Sequence, residues 1–358
     1  MRTTVAVSGL HLGENCQPGP GVIRSLREAI PDEVEIVGLA YDALDSSLHV
    51  PGLLDDAFLV PYPSVQPGAY LARLLEIREA VGLDVIVPCL DVELPLLMRL
   101  APRLRELGIA VVLPGAEAFA RRGKDRLPEL AREAGVATPE TLRILDTGAL
   151  ADAGKRLGYP LVVKGPFYEA EVAAGPAEAA AAFDKLSSRW GLPLIAQRFV
   201  KGDEFDVVAL GDGEGALLGA VAMRKTIVTR LGKAWGAVTV ADEELLATAS
   251  RVVGELRWRG GCELELLRGA SDGRLYLIEV NPRFPAWVYL ATAAGANLPL
   301  GLLRLAQGEP PPPLDSYRAG VWYVRHAAEA VGELGGIESL VTEGRLQRTH
   351  ALGKETVA

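Results

Sequence analysis

Leu277-Ile278-Glu279-Val280-Asn281-Pro282-Arg283 is the stretch on which the reading of this chain turns. An apolar strand ends in an acid, and an amide follows two residues later. Strand side chains alternate with a period of two, so Glu279 and Asn281 point to the same side. A carboxylate and an amide oxygen held together suit Mg²⁺, which takes oxygen ligands and keeps several waters. Upstream, residues 262–267 and 274–280 read as a hairpin around Ser271-Asp272-Gly273. Glu263 and Glu265 share a face of its first strand, and the turn is expected to bring one of them opposite Glu279. Two carboxylates and an amide on an apolar strand pair suit two Mg²⁺ ions bridged by a nucleotide's phosphates. The same acids also read as the solvated edge of a hairpin, because acids are usually surface residues.

Working outward, Tyr159-Pro160-Leu161-Val162-Val163-Lys164-Gly165-Pro166 ends an apolar strand in a lysine, and Gly-Pro turns the chain immediately. Such a lysine meets phosphate as a compact point charge, or simply marks a strand end at the surface. In Gln197-Arg198-Phe199-Val200-Lys201-Gly202-Asp203-Glu204 a strand exits into a turn, and the next begins with an acid. Backbone groups at such a hinge can read an adenine edge, and a carboxylate beyond it can accept from ribose hydroxyls; a plain β-turn is the other reading. Lys124, Arg224, Lys225, Arg230, Lys233 and Arg283 are cations suited to an anionic pocket, and each is also an ordinary solvated charge. His11, His49, His326 and His350 are scattered, and no Ser-His-Asp constellation accompanies them.

Composition narrows the classes. A chain of 358 residues predicts two or three domains. With 37 basic against 46 acidic residues the net charge is −9, which argues against a protein that coats nucleic acid. Cys16, Cys89 and Cys262 lie far apart and outside any CxxC pattern, so neither a disulfide scaffold nor a cysteine zinc site is expected. Reduced cysteines and an N-terminal apolar run too short for a signal peptide predict a cytoplasmic protein. Residues 284–303 carry no charge and reach bilayer length. Pro285, Gly295, Asn297, Pro299 and Gly301 interrupt them, so a helix, a turn and a second helix are expected, with no membrane span.

Along the chain, apolar strands at 4–8, 34–39, 57–60, 84–88 and 109–113 alternate with helices at 22–29, 69–81 and 93–107. That alternation predicts a doubly wound parallel sheet. The 9–21 loop, with Asn15-Cys16-Gln17, and Asp91 and Glu93 lie where such sheets place ligand contacts. Gly9-Leu10-His11-Leu12-Gly13 lacks a full GxGxxG, which argues against a dinucleotide oxidoreductase. Residues 141–199 read as a small α+β unit with strands at 141–145, 160–164, 171–174 and 194–199. After Gly202 the chain turns β-rich, with a helix from Asp242, a plausible N-cap. Prolines 310–313 precede a last strand near 321–325, and the sequence beyond 329 yields no reading.

In this order, Lys124, the strand to Lys164, Gln197 to Glu204, Glu265 and Glu279-Val280-Asn281-Pro282-Arg283 resemble the ATP-grasp superfamily, in its carbamoyl-phosphate synthetase and biotin carboxylase form. The resemblance covers roughly residues 1–310. It implies an α/β pre-ATP-grasp domain at 1–115, a two-subdomain α+β ATP-grasp domain at 116–310 with a lid near 140–200, and a C-terminal segment at 311–358. By this resemblance Lys124 and Lys164 contact ATP phosphates, Phe199 and Val200 form the adenine hinge, and Glu204 binds ribose. Gln197 stands where an acid is common. Glu265, Glu279 and Asn281 hold Mg²⁺, for which Mn²⁺ can substitute. Arg283 acts on the transferring phosphoryl group or acyl phosphate, assisted by Arg224. The family's glycine-rich flap is replaced by Gly165-Pro166-Phe167-Tyr168-Glu169-Ala170-Glu171-Val172, which is bulky and acidic.

The resemblance implies an ATP- and Mg²⁺-dependent ligase joining a small carboxylate to an amine, amino acids or a peptide among them. A carboxyphosphate-forming enzyme and a non-catalytic nucleotide-binding module are the alternatives. Homodimers are common in this superfamily.

Overall fold

The computed structural model describes residues 2–13, 15–65, 67–166, 169–229 and 232–347. The chain forms two compact units. One holds residues up to 113, then 283–317, then those from 325 onward; the other holds 114–282 and 318–324.

The first unit opens with β1 (Thr3–Val7), α1 (Gly19–Ala29), β2 (Val34–Ala40), β3 (Asp56–Leu59), α2 (Pro67–Val81), β4 (Val85–Val87), α3 (Leu94–Glu106) and β5 (Ala110–Val111). These five strands pair in parallel in the order β3-β2-β1-β4-β5. Val5, Val7, Ile36 and Leu39 are buried, as strands covered on both faces require. The helix α1 starts hard against the end of β1. A Cβ on Gly19 would stand 2.3 Å from the Ser8 carbonyl oxygen and 2.6 Å from that of Gly9, so only glycine permits the approach.

The second unit follows with α4 (Ala116–Arg121) and α5 (Leu127–Glu133), and then builds two sheets. The smaller comprises β6 (Thr141–Ile144), β7 (Leu161–Lys164), β8 (Ala170–Ala173) and β9 (Leu194–Arg198), in the antiparallel order β6-β9-β7-β8. Its helices α6 (Thr147–Leu157) and α7 (Pro176–Trp190) share one core with its inward face, through Leu150, Leu157, Phe183 and Leu186 against Ile144, Leu161, Val163 and Ala196. The Asp146 carboxylate caps α6 by accepting from the Ala149 amide at 2.8 Å. One face of each strand is therefore spent on this core. Thr141, Val162, Lys164, Ile195 and Gln197 occupy the other.

The larger sheet is built from β10 (Gly202–Asp212), β11 (Leu217–Val228), β12 (Ala234–Thr239), β13 (Arg259–Gly269) and β14 (Leu275–Asn281), with α8 (Glu243–Leu256) packed beneath. Its order is β14-β13-β10-β11-β12, closed at the far edge by β15 (Trp322–Val324). Val207, Ala209, Leu264, Leu266, Leu277 and Val280 pack into one core with Val252 and Leu256 of α8 and Leu130 of α5. The alternate residues of β10, β13 and β14 include the acids and the amide singled out in the sequence.

After Asn281 the chain returns to the first unit with α9 (Val288–Ala294) and α10 (Leu298–Gln307), which meet at 99°. This is the expected interrupted pair, and among the described residues no single helix is long and apolar enough to cross a membrane. Thr292 donates to the Ser25 hydroxyl at 2.7 Å, and Asn297 donates to the Ser25 carbonyl at 2.8 Å while capping α10 through the Leu300 amide at 3.0 Å. These contacts with α1 are why a boundary at 310 does not describe the chain: residues 283–317 fold with the first unit. The last elements among the described residues are α11 (Leu334–Glu343) and β16 (Arg345–Gln347), which adds an antiparallel strand to the β3 edge. The N-terminal sheet is thus parallel except at that edge. Arg345 Nε reaches both oxygens of buried Asp56, at 3.2 and 3.1 Å.

Candidate active site

The site grows from one strand pair. In β13 and β14, Glu265 lies opposite Glu279 and Glu263 opposite Asn281. Asn281 Nδ2 donates to Glu263 Oε2 at 3.0 Å and to Glu265 Oε1 at 3.1 Å. A bulge makes this face possible. Leu266 pairs with Leu277 and Glu265 with Glu279, so Ile278 is the extra residue. Leu277 and Val280 both enter the core, which releases Glu279 and Asn281 to the opposite side. Strict alternation from Leu277 would have turned Glu279 inward.

Cations meet this face from two directions. Lys124, beyond α4, places Nζ 3.3 Å from Glu279 Oε2. Lys164, at the end of β7, is buried, and burial lowers its ammonium pKa to about 8; Lys124 adds to the fall, and Glu279 and Glu265 oppose it. On β11, Lys225 Nζ stands 3.1 Å from Glu204 Oε2 and 3.3 Å from Asp206 Oδ1. Burial alone would depress Lys225, but Asp206, Glu265, Glu204 and Glu263 together hold it well above its ordinary value. Burial raises the carboxyl of Asp206, with Glu263 and Glu265 adding to it and Lys225 pulling against it. Burial works in the same direction on Glu265, yet Lys225, Lys233 and Lys124, with the Asn281 hydrogen bond, bring it down to about 2. The face therefore holds an ionised carboxylate amid lysines, a pattern typical of functional sites.

The other expected residues fall in different surroundings. Gln197 is buried on the helix-free face of the small sheet, where its Nε2 donates to Thr141 Oγ1 at 3.0 Å. Phe199 and Val200 lie partly exposed between β9 and β10. Glu204 stands at the start of β10, held by Lys225. Arg224 is not brought to the face: it is one residue from Lys225, so strand alternation turns it away, and it pairs with exposed Asp203 at 2.9 Å. Arg283 belongs to the first unit, where its Nε lies 3.0 Å from Asp91 Oδ1. Glu93 is a fully buried acid there, accepting from Ser8 and Tyr41 hydroxyls, both at 2.5 Å. Arg230, Phe167, Tyr168 and His350 lie outside the described residues.

In the sequence Asp206 carries no distinguishing mark by itself, and Lys225 is one cation of several. The signal for both was period-two placement: Glu204 and Asp206 alternate with Phe205 and Val207, and Lys225 alternates with Arg224. Glu169, in the acidic segment after β7, is among the described residues. The Gly165 amide donates to the Glu169 carbonyl at 3.0 Å. The Glu169 carboxylate is engaged by α7, at 2.6 Å from Arg189 and 3.2 Å from Trp190 Nε1.

The chemistry of the face fits Mg²⁺ that arrives with phosphates. Among the described residues no three carboxylate, histidine or cysteine side chains close on a metal by themselves. Mg²⁺ needs only one or two protein carboxylates when phosphates and waters complete its octahedron, and Glu265 opposite Glu279 supplies those. A separate cleft of about 350 Å³ runs beside α4, α5 and α8. Its two arginines are already paired, Arg121 2.6 Å from both Glu133 and Glu255 and Arg126 3.7 Å from Glu129.

Residues 192–326 match the family described as ATP-grasp in the biosynthetic pathway with Ter operon. The carbamoyl phosphate synthase large chain of Vibrio cholerae is 24% identical over 231 residues, 59% of this chain and 21% of that protein. Phosphoribosylamine–glycine ligase of Corynebacterium ammoniagenes is 31% identical over 191 residues, 49% of this chain and 43% of that one. The chain thus spans less than half the length of these two curated relatives. Among solved structures, the biotin carboxylase domain of Hydrogenobacter thermophilus 2-oxoglutarate carboxylase superposes with a TM-score of 0.66 at 20% identity, covering 87% of this chain and 70% of that one. Residues 192–326 thus resemble an ATP-grasp family, and the chain has the fold that the biotin carboxylase domain shares.

Proposed function

We propose that this protein is an ATP- and Mg²⁺-dependent ligase that activates a small carboxylate as an acyl phosphate and joins it to an amine. The observation that carries this reading is the convergence of Glu265, Glu279 and Asn281 with Lys124 and Lys164 on one polar face. In this reading Lys124 and Lys164 bind the ATP phosphates, and the hinge at Phe199 and Val200, with Gln197, takes the adenine. Glu204 takes the ribose. Glu265, Glu279 and Asn281 would hold the metal, which would neutralise phosphate charge.

The substrate carboxylate attacks the γ-phosphorus in line as the bond to the ADP oxygen breaks. Lysine charge already in place offsets the equatorial oxygens, so little reorganisation is needed at the moment of transfer. Arg283 is assigned the transferring group. The amine nitrogen then attacks the acyl carbon, phosphate leaves, and an amide remains. An acyl phosphate hydrolyses in water, so the 141–198 subdomain is assigned the part of a lid.

A second reading has bicarbonate as the carboxylate, with carboxyphosphate as the activated species. The biotin carboxylase neighbour, whose structure contains MgADP and bicarbonate, favours it.

ADP release with MgATP, measured against pooled carboxylates and bicarbonate with and without amines, tests both. Release that needs a carboxylate and an amine, and that disappears in a Glu279→Ala, Asn281→Ala variant, is the expected result. Release with bicarbonate alone would move the assignment to the second reading. ATP binding without turnover would leave a nucleotide-binding module, and no ATP binding would refute the proposal.

A further inference from the structure

The orientation of the Gln197 side-chain amide is decided by Thr141 on the neighbouring strand β6. Gln197 and Thr141 face each other across β9 and β6. The Thr141 hydroxyl donates to the Pro139 carbonyl at 2.8 Å. A hydroxyl has one proton, so Thr141 Oγ1 is left only as an acceptor toward Gln197. It is met by the Gln197 Nε2 at 3.0 Å. Turning the amide over would place two acceptors together unless Thr141 abandoned Pro139. Either outcome loses one hydrogen bond, a bias of roughly fivefold for the observed orientation. The consequence is that Gln197 presents Oε1, an acceptor, on the same strand face as Lys164. No described residue donates to that oxygen.

We infer that Thr141 is a specificity-determining residue that locks the Gln197 amide as a hydrogen-bond acceptor, and so selects a nucleotide base bearing an exocyclic amino donor over one bearing a carbonyl. Adenine offers the amino group at its 6-position, whereas guanine and hypoxanthine offer an oxygen there. With the lock in place, glutamine does what a carboxylate would do at this position. Without it the amide turns over and accommodates a carbonyl equally well. This rests on the reading of the unit as an ATP site.

The test is equilibrium binding of Mg²⁺ complexes of ATP, GTP and ITP to the full chain, by calorimetry. The parent is expected to favour ATP over GTP and ITP by tenfold or more. Thr141→Val keeps the shape and removes the oxygen, and is expected to narrow that ratio about fivefold. Thr141→Ser is expected to retain it. Gln197→Glu is expected to keep the preference, and in the Gln197→Glu, Thr141→Val double variant the preference should survive, because a carboxylate has no orientation to lose. A merely structural role for Thr141 would not be rescued by a change at Gln197. Equal affinity of the parent for ATP and GTP would overturn the inference while leaving the nucleotide site standing. An unchanged ratio in Thr141→Val, with an unchanged melting temperature, would overturn it as well. If the parent binds none of the three, the nucleotide site itself fails, and the inference with it.

Discussion

Replacing Lys164 by methionine should stabilise the protein while disabling the nucleotide binding proposed for it. Lys164 ends β7 buried, and burial is the main reason its pKa falls from 10.5 to about 8. At about 1.36 kcal/mol per pH unit, keeping that ammonium charged costs the folded state about 3 kcal/mol relative to its neutral form. The unfolded chain titrates this group near its ordinary value. Between about pH 8 and 10.5 the unfolded state therefore binds more protons, and stability rises with pH; below that window the full cost is present. Lys164→Met keeps the length of the side chain and removes the charge. Near neutral pH the variant should be more stable than the parent by up to about 3 kcal/mol. The gap should close as pH climbs through 8 toward 10.5. Urea unfolding of both proteins across that range, followed by tryptophan fluorescence, reads it directly.

Nucleotide phosphates reverse the effect by favouring the ammonium. MgATP binding near the lower end of the window should take up a proton, measurable by calorimetry in two buffers of different ionisation enthalpy, and Lys164→Met should lose both the proton and most of the affinity. A variant less stable than its parent, or a gap independent of pH, would refute the assignment of a buried charge held against its desolvation.

Two further outcomes follow from other buried charges. Lys225→Met leaves Asp206 buried without its cation, so a loss of about 3–5 kcal/mol is expected in urea unfolding; adding Asp206→Asn should recover much of it, whereas strict additivity of the two changes would show that the pair is not coupled. Arg345→Ala strips buried Asp56 of the side chain that reaches both its oxygens and should cost a few kcal/mol. Hydrogen exchange should then rise first along β3 and β16, and uniform protection there would count against β16 as the brace of that edge.

Much of this molecule could be read from local pattern. Period-two apolar runs placed the strands, and prolines and glycines split 284–303 into two helices. The spacing of Glu279 and Asn281 put them on one side, because alternation is a property of the backbone itself. Which side that is was not local. It required the Ile278 bulge, and a bulge exists only as a mismatch between two paired strands. For the same reason Asp206 and Lys225 became a buried pair only when β10 and β11 aligned. Arg224 and Lys225 look interchangeable as neighbours in sequence, yet the strand sends one to solvent and the other into the site.

The return of 283–317 to the first unit, and the docking of β16 on β3, depend on contacts across more than two hundred residues, such as Thr292 with Ser25 and Arg345 with Asp56. The sequence by itself determined the elements and the residue types able to carry the chemistry. The tertiary structure decided which of those residues meet, because register, bulges and long-range docking arise from the pairing of segments that carry no local mark of one another.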